Sequence, residues 1–75
     1  MPVNKVTREN LDEVFTYHEA TDAQVLRYRA LRANAKAFAL SILDNCPDCA
    51  DRSAALRQVR AAIMTANAAI ALENV

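Results

Sequence analysis

The sequence predicts an all-α protein: a short N-terminal segment or helix, then a long antiparallel two-helix hairpin that assembles as a homo-oligomer. Three observations carry that expectation. The 75 residues contain 16 alanines and no glycine, so the best helix former is abundant and the residue of tight turns is missing. Two long stretches carry apolar residues at alternating spacings of three and four, the period of a helical seam. Between them the chain holds a single proline, Pro47.

One domain fills residues 1–75, read as an N-terminal segment over 1–20 and helices over 21–45 and 48–73. In the first piece, "RENLDEVF" can form a short helix with Leu11, Val14 and Phe15 on one side, and Phe15 can pack back over the hairpin. "TYHEAT" reads as a connection. Thr21 opens a capping box, Thr-Asp-Ala-Gln, in which Gln24 reaches back to the Thr21 backbone. The first long helix then runs until Pro47 stops it, since proline lacks an N–H and disfavours α geometry in the residue before it. Asp48 or Asp51 can cap the second helix.

Tyr28, Leu31, Ala35, Phe38 and Ile42 form one seam, and Leu56, Val59, Ile63, Ala66 and Ile70 form the other. Facing each other, they close the hairpin. The first helix has a second apolar stripe, Leu26, Ala30, Ala33, Ala37 and Leu40. A helix that is apolar on two faces needs two partners, and another copy of the chain is the expected second one. A chain this short and rich in alanine makes a thin core, and oligomerisation supplies the missing burial.

The formal net charge is zero, which argues against bulk DNA binding. Its distribution is uneven. Residues 23–43 hold Arg27, Arg29, Arg32 and Lys36 without an acid, and residues 52–72 hold Arg52, Arg57 and Arg60 without one. Arg29, Arg32 and Lys36 fall on one narrow helical face. An ordinary exposed face mixes signs to gain i,i+4 pairs, so this strip suits a compact anion better than plain solvent. The opening "MPVNKVTREN" has no apolar run, so neither a signal peptide nor a membrane span is expected and a cytosolic setting is.

Little else carries chemistry. Cys46 and Cys49 in "CPDC" have redox spacing, but no βαβ context surrounds them, and Asp44, Asp48 and Asp51 make a poor setting for a thiolate. With His18 as the one histidine, a chain cannot complete a four-ligand zinc site. Cys46 then reads as a small buried residue at the corner of the hairpin. No nucleophile elbow, zinc-protease motif or paired carboxylates appear, so no enzyme, cofactor or metal is expected. Asn67 lies beside the core stripe among small residues, where an amide can bond across an interface. Phe15, Tyr17 and His18 concentrate aromatic character ahead of the basic helix. An aromatic face beside guanidinium groups suits a base attached to a phosphate.

The F-x-Y-H element at Phe15–His18, "RYRALR" with Lys36 following, the Cys46-Pro47 corner and "ANAAIA" at 66–71 together resemble a phage family. The chain is similar to the helical-hairpin proteins that act as anti-CBASS sponges for cyclic oligonucleotides, a hairpin found also in anti-Thoeris sponges. The resemblance covers roughly residues 15–72. It implies a hexamer that captures cyclic dinucleotides of the 3′,3′-cyclic GMP–AMP type, in pockets shared by two chains, within the cytoplasm of an infected bacterial host. Carried over residue by residue, it implies Tyr17 as aromatic wall with His18 beside it, Arg32 as phosphate-binding charge and Asn34 as a hydrogen-bond donor. Arg29 and Lys36 join from the basic strip. Where relatives often have an arginine after "ANAAIA", this chain has Leu72 and Glu73, so the resemblance does not extend to a cyclic trinucleotide site. An ADP-ribose-type signal, or an adaptor role without a small ligand, are the alternative expectations.

Overall fold

A computed structural model describes residues 5–75. Three helices follow in order: α1 (Leu11–Phe15), α2 (Asp22–Asn45) and α3 (Ala50–Ala71). No strand occurs among the described residues.

α2 begins where its capping box places it. Thr21 Oγ1 accepts from the Gln24 backbone N–H at 3.2 Å, and the Thr21 N–H donates to Gln24 Oε1 at 3.0 Å. At the other end Cys46 leaves helical geometry with φ −107° and ψ 143°, the extended backbone that a following proline enforces. Cys49 is the N-cap of α3, and no side chain caps that end. The expected aspartate cap is therefore absent: Asp48 instead pairs with Arg52 at 3.1 Å across one helical turn. α3 accordingly starts at Ala50 and ends at Ala71, two residues inside each expected bound. Both cysteines are free and exposed, so Cys46 is not the buried corner residue that its position suggested. It sits on the outside of the bend, where Pro47 and not burial turns the chain. An exposed i,i+4 pair is worth about 0.3–0.5 kcal/mol. Asp48→Ala is therefore expected to lower the melting temperature by no more than about 4 °C in a thermal scan.

α2 and α3 pack on each other along the two expected seams, while α1 packs on neither. Seam positions are buried or half-buried with one exception, Phe38, which remains 60% exposed. The ring lies across openings lined by Ala55 and Ala62, whose methyl groups are too small to cover it. Ile42 and Ile70 alone among the described hydrophobic residues are buried. The second stripe of α2 faces outward along its whole length, with Leu26 and Leu40 exposed.

One polar residue is buried with them. Gln24 caps α2 and also donates from Nε2 to the Ile70 carbonyl at 3.1 Å and to Glu73 Oε1 at 3.4 Å. Arg27 closes the same corner with a 2.8 Å ion pair to Glu73. The start of α2 and the end of α3 are thus pinned to each other by side chains 46 to 49 positions apart.

The molecule is long and thin, 46 × 28 × 17 Å with a radius of gyration of 15.4 Å. A compact chain of this length has a radius of about 11 Å. Its accessible surface of 6109 Å² exceeds the roughly 4,600 Å² typical of a folded monomer of this mass. The excess follows from a hairpin with nothing packed against its flanks.

Candidate functional site

An open groove of about 440 Å³ runs between α2 and α3. Arg32, Ala35, Lys36 and Ala39 form its α2 wall at spacings of three, one and three, which places them on one helical face. The α3 wall carries Leu56, Arg60 and Met64, and Val59 and Ile63 of the seam complete the floor. The floor is aliphatic and every charge on the rim is positive.

The cations of this groove lack acidic partners. Among the described residues two ion pairs form, and they take Arg27 and Arg52 near the two ends of the hairpin. Neither Arg32, Lys36 nor Arg60 has an acid three or four positions away on its own helix. Helix geometry therefore concentrates unpaired charge at mid-hairpin and neutralises it at the ends.

The structure separates the sequence-derived site residues into groups. Arg32 and Lys36 meet in the groove. Arg29 shares their angular face but lies one turn nearer the N-terminus of α2, exposed and outside the groove lining. Asn34 lies on the other flank of the seam, lining a second opening of about 250 Å³ with Leu31 and Phe38. Taking Ala35 as the centre of the seam, 100° per residue puts Arg32 and Lys36 to one side and Asn34 to the other. Arg32 and Asn34 thus line two different openings, which meet at Ala35, Val59 and Ile63.

The aromatic element is held apart from both. Thr7 and Asn10 bond reciprocally, the Thr7 N–H to Asn10 Oδ1 at 2.8 Å and the Asn10 N–H to Thr7 Oγ1 at 3.3 Å, which sets up the short turn of α1. Thr16 Oγ1 donates back to the Asp12 carbonyl, and His18 Nε2 donates to the Glu13 carbonyl at 2.7 Å. These bonds fold the connector onto α1 and not onto the hairpin. As a result Phe15 is 78% exposed, against the expectation that it packs over the helices, and Tyr17 is 85% exposed. The His18 ring is tied to backbone at one nitrogen, so its first role here is to shape the connector.

Arg60 and Met64 are the groove residues that the seam pattern alone does not single out as a site. The available signal was the acid-free run of α3 combined with the position of Arg60, one residue beyond the seam at Val59. Asn67 is the other polar residue of note: its Oδ1 is buried with no hydrogen-bond partner among the described residues.

Fold and groove together define a helical-hairpin protein with an open, mainly aliphatic groove between its two long helices, bordered by Arg32, Lys36 and Arg60. The chain belongs to the Acb2/Tad1 hairpin-domain family, which matches residues 7–71. That is the family of anti-CBASS and anti-Thoeris sponges, ligand-sequestering domains for cyclic nucleotide or Thoeris signals. No curated protein and no solved structure matches the chain significantly. None of the described helices is long and apolar enough to cross a membrane.

Proposed function

We propose that this protein is a phage anti-defence sponge that binds cyclic dinucleotides of the 3′,3′-cyclic GMP–AMP type and sequesters them uncleaved in the cytoplasm of the infected cell. CBASS effectors are thereby deprived of their signal. The observation that carries the reading is the acid-free groove, in which Arg32 and Lys36 stand unpaired above an aliphatic floor. Guanidinium groups bind phosphate through paired, charge-assisted hydrogen bonds, and an aliphatic floor accepts the flat face of a base. Tyr17 supplies a stacking surface, being a ring with almost no contact of its own.

Assembly follows from the same reading. Eleven residues separate the Thr21 cap from Arg32, about 16 Å along the helix, and Tyr17 precedes the cap on a connector directed at α1. A ligand touching both side chains takes Tyr17 from one chain and Arg32 from another, within a homo-oligomer that we propose to be a hexamer. The uncovered stripe from Leu26 to Leu40, the exposed Phe38 ring and the unpartnered Asn67 oxygen all call for a neighbouring chain. Leu40→Arg places a charge in that stripe and is expected to reduce the mass measured by size exclusion with light scattering. A variant that keeps the wild-type mass would remove the stripe from the interface.

Isothermal titration with 3′,3′-cyclic GMP–AMP, related cyclic dinucleotides and an ADP-ribose-type Thoeris signal tests the proposal. Micromolar or tighter binding of a dinucleotide is expected, with the same molecule recovered intact by mass spectrometry after heating. Binding of the ADP-ribose-type ligand alone would transfer the sponge to Thoeris signalling. Silence across the panel would leave a helical adaptor.

A further inference from the structure

We infer that the N-terminal unit around α1 is a self-association element: its apolar side packs on the outward stripe of α2 in a second copy of the chain. The inference rests on the homo-oligomer reading above and adds to it the element that makes the contact. Two apolar surfaces of the chain lie uncovered. The first is α1, which packs on neither long helix and leaves Val6, Leu11 and Phe15 exposed with Tyr17 after them. The second is the stripe from Leu26 to Leu40, exposed throughout on the side of α2 opposite the seam. It is about 21 Å long.

Hydrogen bonds make residues 5–18 a preformed unit. The Asn10 side chain accepts from the Thr7 N–H at 2.8 Å and donates to the Lys5 carbonyl at 2.9 Å. Thr16 and His18 tie the connector to the Asp12 and Glu13 carbonyls. Little ordering entropy is then left to lose when the unit docks. Its charge complements the stripe. Residues 5–19 carry Glu9, Asp12, Glu13 and Glu19 against Lys5 and Arg8. None of these acids joins an ion pair among the described residues. The stripe is bordered by Arg29 and Lys36, and residues 23–43 contain no acid. Two stripes placed face to face bring basic borders together, whereas an acidic α1 brings opposite charge to them. The exposed area is also sufficient. The surface of 6109 Å² lies roughly 1,500 Å² above that of a folded monomer of this mass. A standard interface takes about 800 Å² from each partner. Each chain can therefore give one contact through α1 and receive one on α2, a heterologous arrangement.

Because α1 packs on neither long helix, Phe15→Asp should leave helical circular dichroism unchanged. In size exclusion with light scattering the wild-type chain is expected above the monomer mass. Phe15→Asp should raise its dissociation constant about tenfold or more, as loss of a buried aromatic anchor does. Met64→Asp, at another exposed apolar position but on α3, should stay within about twofold. A photoreactive phenylalanine analogue at position 15, in a mixture of isotope-labelled and unlabelled chains, identifies the occupant. Cross-linked peptides joining position 15 to the Leu26–Leu40 segment should include mixed-label pairs. Cross-links to α3, or pairs drawn only from the same chain, would overturn the inference. Wild-type association in Phe15→Asp, with association lost in Leu40→Arg, would overturn the role of α1 and leave the homo-oligomer standing. A monomeric wild-type protein would overturn both readings together.

Discussion

Arg32→Ala is expected to weaken cyclic dinucleotide binding by about ten- to a hundredfold. Hydrogen bonds to charged groups contribute roughly 1.5–3 kcal/mol each, and 1.4 kcal/mol corresponds to a factor of ten in affinity. The side chain is exposed and has no ion-pair partner among the described residues, so the main effect of its removal should appear in binding. The comparison that gives the experiment its force is Arg29→Ala. Arg29 is three residues away with the same charge, yet it stands outside the groove, and its loss should cost no more than about threefold through long-range electrostatics. Arg32→Lys should fall between, because an ammonium keeps the charge but not the planar fork. Titration at two salt concentrations would separate the contributions: screening should reduce the Arg29 effect toward zero and leave most of the Arg32 effect. Equal effects at both positions would mean that the face acts as a diffuse field and holds no defined phosphate.

Such a comparison matters because the basic strip was legible as a strip but not as a site. Helical periodicity places Arg29, Arg32 and Lys36 on one face, and that is all one helix can say. The distinction between them depends on where the second helix lies. α3 meets that face at Arg60 and Met64, so that Arg32 and Lys36 border the groove and Arg29 lies one turn outside it. The same geometry divides Asn34 from Arg32, which are two residues apart in sequence and on opposite flanks of the seam.

The hairpin was readable because its signals are local. The capping box at Thr21, the stop at Pro47 and the seam spacing each act within a few residues, and the structure follows all three. Local signals also misled where competing partners existed. Asp48 has the residue type of an N-cap, but Arg52 lies one turn away and takes the carboxylate. Phe15 has the apolar character of a core residue, but the His18 and Thr16 bonds direct its segment along α1. With Phe15, Leu26 and Leu40 all uncovered, the folded chain shows by its exposed surface what the alanine content implied by composition: one copy has too little apolar side chain to bury itself.

The corner that joins Gln24, Ile70, Arg27 and Glu73 was not readable at all, and it yields the largest expected loss of stability. Sequence shows Gln24 as the fourth residue of a capping box, a role that uses its backbone N–H and its side-chain oxygen. Its remaining amide hydrogens reach the Ile70 carbonyl, near the end of α3, and the Glu73 carboxylate. One buried side chain therefore terminates two helices, and it does so beside Ile70, one of the two buried aliphatic residues described. Gln24→Ala removes half of the capping box and a buried bond, and it leaves the Glu73 oxygen without its amide donor. A lost cap costs about 0.5–2 kcal/mol, and a lost hydrogen bond about 0.5–1.5 kcal/mol, the Ile70 carbonyl keeping the Glu73 N–H and Glu73 keeping Arg27. Because both losses fall on one residue, an overall cost of about 2–3 kcal/mol is expected, or a melting temperature lower by about 10–20 °C for a domain of this size. Gln24→Glu separates the two roles. Glutamate serves as well as glutamine in a capping box, but it has no hydrogen to donate to Ile70 and sets a second carboxylate against Glu73. If the cap dominates, Gln24→Glu should melt near the wild type; if the link to α3 dominates, it should melt as low as Gln24→Ala or lower. We expect the second result, because the capping bond closes only the first turn of a 24-residue helix, whereas the bond to Ile70 holds the open ends of the hairpin together. Glu73→Ala provides the complementary measurement. It frees Arg27, half-exposed and paired on the surface, and should cost about 1 kcal/mol or less, so that the buried amide and not the ion pair is the principal clasp of the fold.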